Sequence, residues 1–200
     1  MKYTKEWYEE AARVENQHVR AVILKKDHLE HDRALEVANR AYEMAARALG
    51  EQHPAYAVAL QNIGLYYSVI GNDTITAADY FERARAVAGL YEPALVETFY
   101  WLGVFYYEVR DAARAAEFFE EALTIQRRTL ESKDPELART LIGLAYAKSV
   151  MQGPGAAVSL LQEALEIQEA SLPAESAELR DTMQRLEQMQ KRAGTKTARE

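Results

Sequence analysis

Three stretches of the chain share one grammar: "ALGEQHPAYAVALQNIGLYYSVIG" (48–71), "YEPALVETFYWLGVFYYEVR" (91–110) and "SKDPELARTLIGLAYAKSVM" (132–151). Each has a break closed by proline, then an apolar run. A segment written three times is a repeat. Repetition limits the fold severely, because each copy must form the same small unit and bury its apolar surface on its neighbours. Pro54, Pro93 and Pro135 serve as a ruler. Ten residues after each comes a small residue: Gly64, Gly103 and Ala145. Ile63, Leu102 and Leu144 precede these small residues, and Leu60, Phe99 and Leu141 lie one turn earlier. Tyr67, Tyr106 and Lys148 lie three positions after them. A second run follows in each copy, with Ala77, Phe81 and Ala84, then Ala115, Phe119 and Ala122, then Ala157, Leu161 and Ala164. A weaker first copy has Ala34, Ala38 and Ala41, preceded by His18, Ala21 and Val22.

Spacings of three and four place these residues on one face of a helix. A small residue where two helices cross allows close approach, and the large residue one turn away fills the space beside it. Ala, Leu, Glu, Arg and Gln dominate, and Val/Ile/Thr runs of strand type are absent, so the chain is expected to be nearly all helix. The apolar share of 48% is enough for a real core. The evenly apolar run "AVALQNIGLYYSVIG" (57–71) is explained if it is an inner helix packed on its own partner and on both neighbouring units.

The net charge of −7 disfavours nucleic acid, which needs a basic face. There is no cysteine, hence no disulfide and no thiolate chemistry. The N-terminus "MKYTKEWYEEAARVENQ" is charged throughout and lacks the apolar core of a signal peptide. The apolar run "FYWLGVFYY" (99–107) is far shorter than the ~20 residues of a membrane span. A cytoplasmic protein is the expectation.

Phe99-x2-Leu102-Gly103-x2-Tyr106, followed by Ala115-x3-Phe119-x2-Ala122, resembles the tetratricopeptide repeat. Val22, Gly64, Gly103 and Ala145 lie 42, 39 and 42 residues apart. That period, with the phrases "RALGEQHPAYAVALQNIGLYY" and "EEALTIQRRTLESKDPELARTLIGLAY", is similar to the longer kinesin light chain type. The resemblance covers about 30–175. It implies an all-α, right-handed α-solenoid of antiparallel helix pairs. The expected units are about 3–49 (degenerate), 54–89, 93–131 and 135–172. A capping helix at about 174–192 closes this single domain of 1–192, and 193–200 forms a flexible tail. Three departures stand out. Lys25 and Lys148 replace the usual Tyr, the 84–93 connector is about one turn short, and the loop "GNDTIT" (71–76) has one residue more.

Catalytic constellations are not found. His28 and His31, with Asp27, Glu30 and Asp32, have the spacing of two ligands on one turn, but they lie in a charged break with no third histidine nearby. They read as a solvated turn, so neither a metal nor a cofactor is expected. His53 reads as a helix start. "GPG" (153–155) is a turn, and the carboxylates of "FFEEAL" sit on an outer face. No Ser/His/Asp order or phosphate loop appears, so no catalytic residue is assigned.

What remains is aromatic. The resemblance implies a concave groove lined by first-helix side chains at four positions per repeat. These are Val58, Gln61, Leu65 and Ser68, then Glu97, Tyr100, Val104 and Tyr107, then Arg139, Ile142, Tyr146 and Ser149. Tyr is well suited to such a surface, since it buries area and keeps a hydroxyl available. The same tyrosines could instead pack between repeats. Asn62 could hold a peptide amide or make an interhelical bond. The expected function is a non-catalytic adaptor that holds a peptide or helix of another protein. The alternative is a structural subunit docking through its convex face or terminal helices. Nucleic acid and membrane are not expected as partners, and self-association stays open.

Overall fold

The computed structural model describes residues 31–89 and 92–197. Within them run eight helices and no strand. They are α1 (His31–Ala48), α2 (Pro54–Val69), α3 (Thr74–Ala88), α4 (Glu92–Glu108), α5 (Ala112–Thr129), α6 (Pro135–Gln152), α7 (Gly155–Ser171) and α8 (Ala177–Thr197). The architecture is an all-α solenoid of helix pairs. The helix expected over 3–28, with Val22, Lys25 and His28, lies outside the described residues. The chain divides into two compact units, Met1–Trp101 and Leu102–Glu200.

The helix starts follow from sequence chemistry. The first backbone N–H groups of a helix have no internal acceptor, so a polar side chain just before them is stabilising. His53 Nδ1 accepts from Ala55 N at 3.2 Å, and Asp134 Oδ1 accepts from Glu136 N at 2.9 Å. Each is followed by a proline, whose missing N–H costs nothing at that position. Asp73 and Asp111 cap α3 and α5 through Thr76 N and Arg114 N. Ser176 Oγ accepts from Leu179 N at 3.0 Å at the start of α8. The turns inside the pairs reverse through positive-φ residues just before the cap: Asn72, Arg110 and Gly153, at φ 47°, 68° and 93°. Asn72 lies in the loop with the additional residue.

In the first unit, α2 packs on both α1 and α3. It is buried from Ala59 through Leu65 without a break. A helix covered on several sides has no polar stripe to display, so the apolar run has its reason. Ala34, Ala38 and Ala41 of the weak first copy are 1%, 0% and 0% exposed. Gly64 faces Phe81, and a Cβ there would lie 3.3 Å from the ring.

In the second unit, α5 packs on α6, α6 on α7, and α7 on α8. Phe119 is 2% exposed and sits against two glycines rather than one. A Cβ at Gly103 would lie 2.7 Å from the Phe119 ring, and one at Gly143 would lie 2.6 Å from it. Gly103 is the small residue marked by the repeat pattern. Gly143, on the first helix of the following pair, is not marked by it.

Buried hydroxyls add a second layer to the repeat. Thr98, Thr140 and Thr182 are 0%, 0% and 1% exposed. Each donates its hydroxyl one turn back along its helix, to Ala94 O (2.7 Å), Glu136 O (3.2 Å) and Glu178 O (3.0 Å). Buried glutamines join two of these bonds. Gln61 Nε2 donates to Thr98 Oγ1 at 2.6 Å, and Gln126 Nε2 donates to Glu136 O at 3.4 Å. Burying such amides and hydroxyls without partners would cost ~1–3 kcal/mol each.

Where the sequence expects a tail from 193, α8 runs on to Thr197.

Candidate functional site

Tyr42 of α1 and Tyr56 of α2 bring their rings to 4.9 Å in the first unit, and the Tyr56 hydroxyl donates to that of Tyr42 at 2.9 Å. Arg83 Nη2 of α3 donates to the same Tyr42 oxygen at 3.3 Å. Burial, followed by the Tyr42 hydrogen bond, pushes the Tyr56 hydroxyl up to about 12. Arg83 also covers the Tyr80 ring at 5.1 Å, and Tyr80 stacks on Tyr67 at 5.9 Å. Asp73's carboxyl is held below its usual value, first by the Thr76 hydroxyl and then by the Thr76 N–H.

The groove candidates in this unit have different fates. Val58, Ser68, Glu97 and Tyr100 are half-buried. Gln61 and Asn62 are 1% exposed and Leu65 is 3% exposed, so these three present almost no surface to a ligand. Gln61 spends its amide on Thr98. Glu97 Oε1 accepts from Trp101 Nε1 at 2.7 Å, and the Tyr100 ring meets Trp101 edge-on at 5.2 Å.

In the second unit, Val104, Tyr107, Arg139, Ile142, Tyr146 and Ser149 are all half-buried. Tyr107 of α4 and Tyr146 of α6 come together, with ring centres 6.1 Å apart and tilted by 51°. Ile142 and Tyr146 also lean on the core formed by Ala145, Ala157, Leu161, Leu186 and Met189. Arg139 pairs with Glu136 at 2.5 Å. Ser149 Oγ contacts Met189 Sδ at 3.6 Å. Lys148, which stands where Tyr67 and Tyr106 stand in the other pairs, reaches Glu120 of α5 at 2.6 Å.

The capping helix α8 joins this surface. Arg185 lies over the Tyr146 ring at 5.0 Å, and its Nε is held by Asp181 Oδ2 at 2.5 Å. Tyr107, Tyr146 and Arg185 thus form a row across α4, α6 and α8. The sequence reading assigned α8 only a closing role. One signal could have revealed more. Glu178, Leu179, Thr182 and Leu186 repeat Glu136, Leu137, Thr140 and Leu144 at constant spacing. That register makes α8 a first-type helix, with Arg185 at the position of Gly143. Among the described residues no group of His, Cys, Asp or Glu is arranged to hold a metal ion.

Paired helices with buried Ala/Gly/Phe crossings and capped Pro turns coincide with a known family. The tetratricopeptide repeat model matches residues 10–88 and 95–170. The chain belongs to the tetratricopeptide repeat family. The solved structures it resembles include a Podosopora anserina protein of kinesin light chain type with nearly identical TPR-like repeats. The likeness has TM-score 0.73 and 19% identity, over 99% of this chain and 92% of that one. A Q17M form of that protein gives TM-score 0.72 and 20% identity, over 93% and 88%. BtubC (BKLC) of P. vanneervenii gives TM-score 0.73 and 18% identity, over 96% and 85%. At these identities the likeness concerns the fold. No curated protein matches in sequence.

Proposed function

We propose that this tetratricopeptide repeat chain is a non-catalytic adaptor that holds a peptide or helix of a partner protein against its first-type helices. A helical-repeat fold supports an interaction role in general, because stacked repeats present continuous side-chain surfaces. The observation that carries the finer reading is the meeting of Tyr107 and Tyr146, two half-buried rings from successive first-type helices. Tyrosine concentrates binding energy, since a few aromatic anchors supply most of it. Tyr100, Val104, Ile142 and Ser149 belong to the same reading. Gln61, Asn62 and Leu65 contribute by supporting the helices from inside. No described helix is long and apolar enough to cross a membrane. Partners are sought in the cytoplasm.

The second reading, a structural subunit docking through a terminal helix, rests on Met183 of α8, which is 49% exposed. A partner isolated from native lysate and titrated against variants separates the two. Tyr100→Ala/Tyr107→Ala is expected to weaken binding at least about a hundredfold, the loss of two anchors of ~2 kcal/mol each, with helicity kept. Unchanged binding in that variant, with binding lost in Met183→Glu, would replace the groove by the terminal helix.

A further inference from the structure

The Tyr107–Tyr146–Arg185 row has a particular hydrogen-bonding character. Among the described residues neither tyrosine hydroxyl has a hydrogen-bond partner. The cations beside them are already neutralised, Arg185 by Asp181, Arg139 by Glu136 and Lys148 by Glu120. The surface is therefore aromatic, close to neutral, and rich in donors that lack acceptors. An acidic peptide would have to compete with three resident carboxylates. A helical ligand would bring a backbone whose carbonyls are already bonded, except at its C-terminus. A polyproline II segment has no internal hydrogen bonds, so its carbonyls all seek donors, and its compact apolar rings pack on aromatic faces.

We infer that the ligand of this surface is an uncharged, proline-rich segment in the polyproline II conformation, lying across Tyr107, Tyr146 and Arg185. This rests on the adaptor reading above and narrows its partner. The dimensions agree. Steps of 6.1 Å and 5.0 Å separate the ring centres and the guanidinium. A three-residue turn of polyproline II advances about 9 Å, so one to two turns span the row. One proline rests on the Tyr107 ring and the next packs on the part of the Tyr146 ring that Arg185 leaves uncovered. The phenolic hydroxyls and the terminal N–H groups of Arg185 donate to backbone carbonyls. Little conformational freedom is lost by a segment already extended before binding.

The test titrates the full chain calorimetrically with three end-capped peptides of equal length: octaproline, a glutamate-rich peptide and an amphipathic helix former. Octaproline is expected to bind, with affinity that changes less than about twofold between low and high salt, since no net charge is neutralised. Tyr107→Ala/Tyr146→Ala should weaken it at least tenfold. Tyr107→Phe/Tyr146→Phe keeps the rings and their packing, and should weaken it severalfold through the lost donors alone. Failure of octaproline to bind at millimolar concentration would overturn the inference, as would equal binding by the alanine variant. If the acidic or helical peptide binds instead and the alanine variant loses it, the adaptor reading survives and the proline-rich ligand falls.

Discussion

Gly143→Ala adds a single methyl group, yet its cost can be worked from the structure. The new Cβ would sit 2.6 Å from Cε1 and Cζ of Phe119. Carbon atoms rest at about 3.5–4.0 Å, so the overlap is about 1 Å. The ring cannot retreat toward α4, because Gly103 closes that side, where a Cβ would lie 2.7 Å away. Overpacking of this kind costs ~1–3 kcal/mol. Alanine regains up to ~1 kcal/mol of helix propensity over glycine. The net loss is about 1–2 kcal/mol, a fall of roughly 2–8 °C in melting temperature for a chain of this size. Gly194→Ala in α8 is the control, since a Cβ there meets nothing within 4 Å. It should leave stability unchanged or raise it by up to ~1 kcal/mol. Phe119→Leu in the Gly143→Ala background supplies the cycle. The shorter side chain relieves the overlap, so the two losses should fall short of additive by about 1 kcal/mol. Thermal melts followed by circular dichroism read all five proteins: the parent, Gly143→Ala, Gly194→Ala, Phe119→Leu and the double variant. A Gly143→Ala variant melting at or above the parent would refute the two-glycine seat of Phe119.

Other consequences follow from the same packing. Phe119→Ala should cost ~3–5 kcal/mol in chemical denaturation, because a fully buried ring leaves a cavity. Thr98→Val keeps the shape but leaves Gln61 Nε2 with only the longer Ala94 O acceptor at 3.5 Å, so a loss of ~1 kcal/mol is expected, whereas Gln61→Leu/Thr98→Val should recover part of it. The raised Tyr56 hydroxyl binds its proton more tightly in the folded state, so stability present below pH ~10 is lost as the pH rises toward 12, and Tyr56→Phe should flatten that slope in denaturation curves. Glu117→Lys/Glu121→Lys on α5 should leave partner binding unchanged, whereas Glu120 is unsuitable as a neutral control because it holds Lys148.

Much of the fold could be read from side-chain size alone. Ala34, Ala38 and Ala41 were placed inside by a faint echo of the period, and Gly103 was placed at the crossing with Phe119 by its distance from Pro93. The Gly103–Phe119 contact lies within a copy, so each copy states it again. Gly143 was invisible for the converse reason. The matching positions are Asn62 and Trp101, so no common residue type marks it, and the contact it makes belongs to α5 and α6 of different pairs. The candidate site was legible only as a set of positions sharing a helical face. Whether such a face is open depends on neighbours. Around α2 they enclose Gln61, Asn62 and Leu65, while Tyr107 and Tyr146 stay half-exposed. The polar surface of α8 marks it only as a closing helix, whereas the Glu178, Leu179, Thr182 and Leu186 register makes it a first-type helix and brings Arg185 to the site.

Hydrogen exchange of the chain, free and bound to its partner, tests the central claim most directly, because it reports which helices the partner covers without altering a residue. If the first-type helices carry the interaction, protection on binding should concentrate in 104–108 of α4, in 139–149 of α6 and in 181–188 of α8, with α3, α5 and α7 unchanged. Protection confined to α5 and α7, or spread over the outer residues of α8 around Met183 with α6 unaffected, would contradict it.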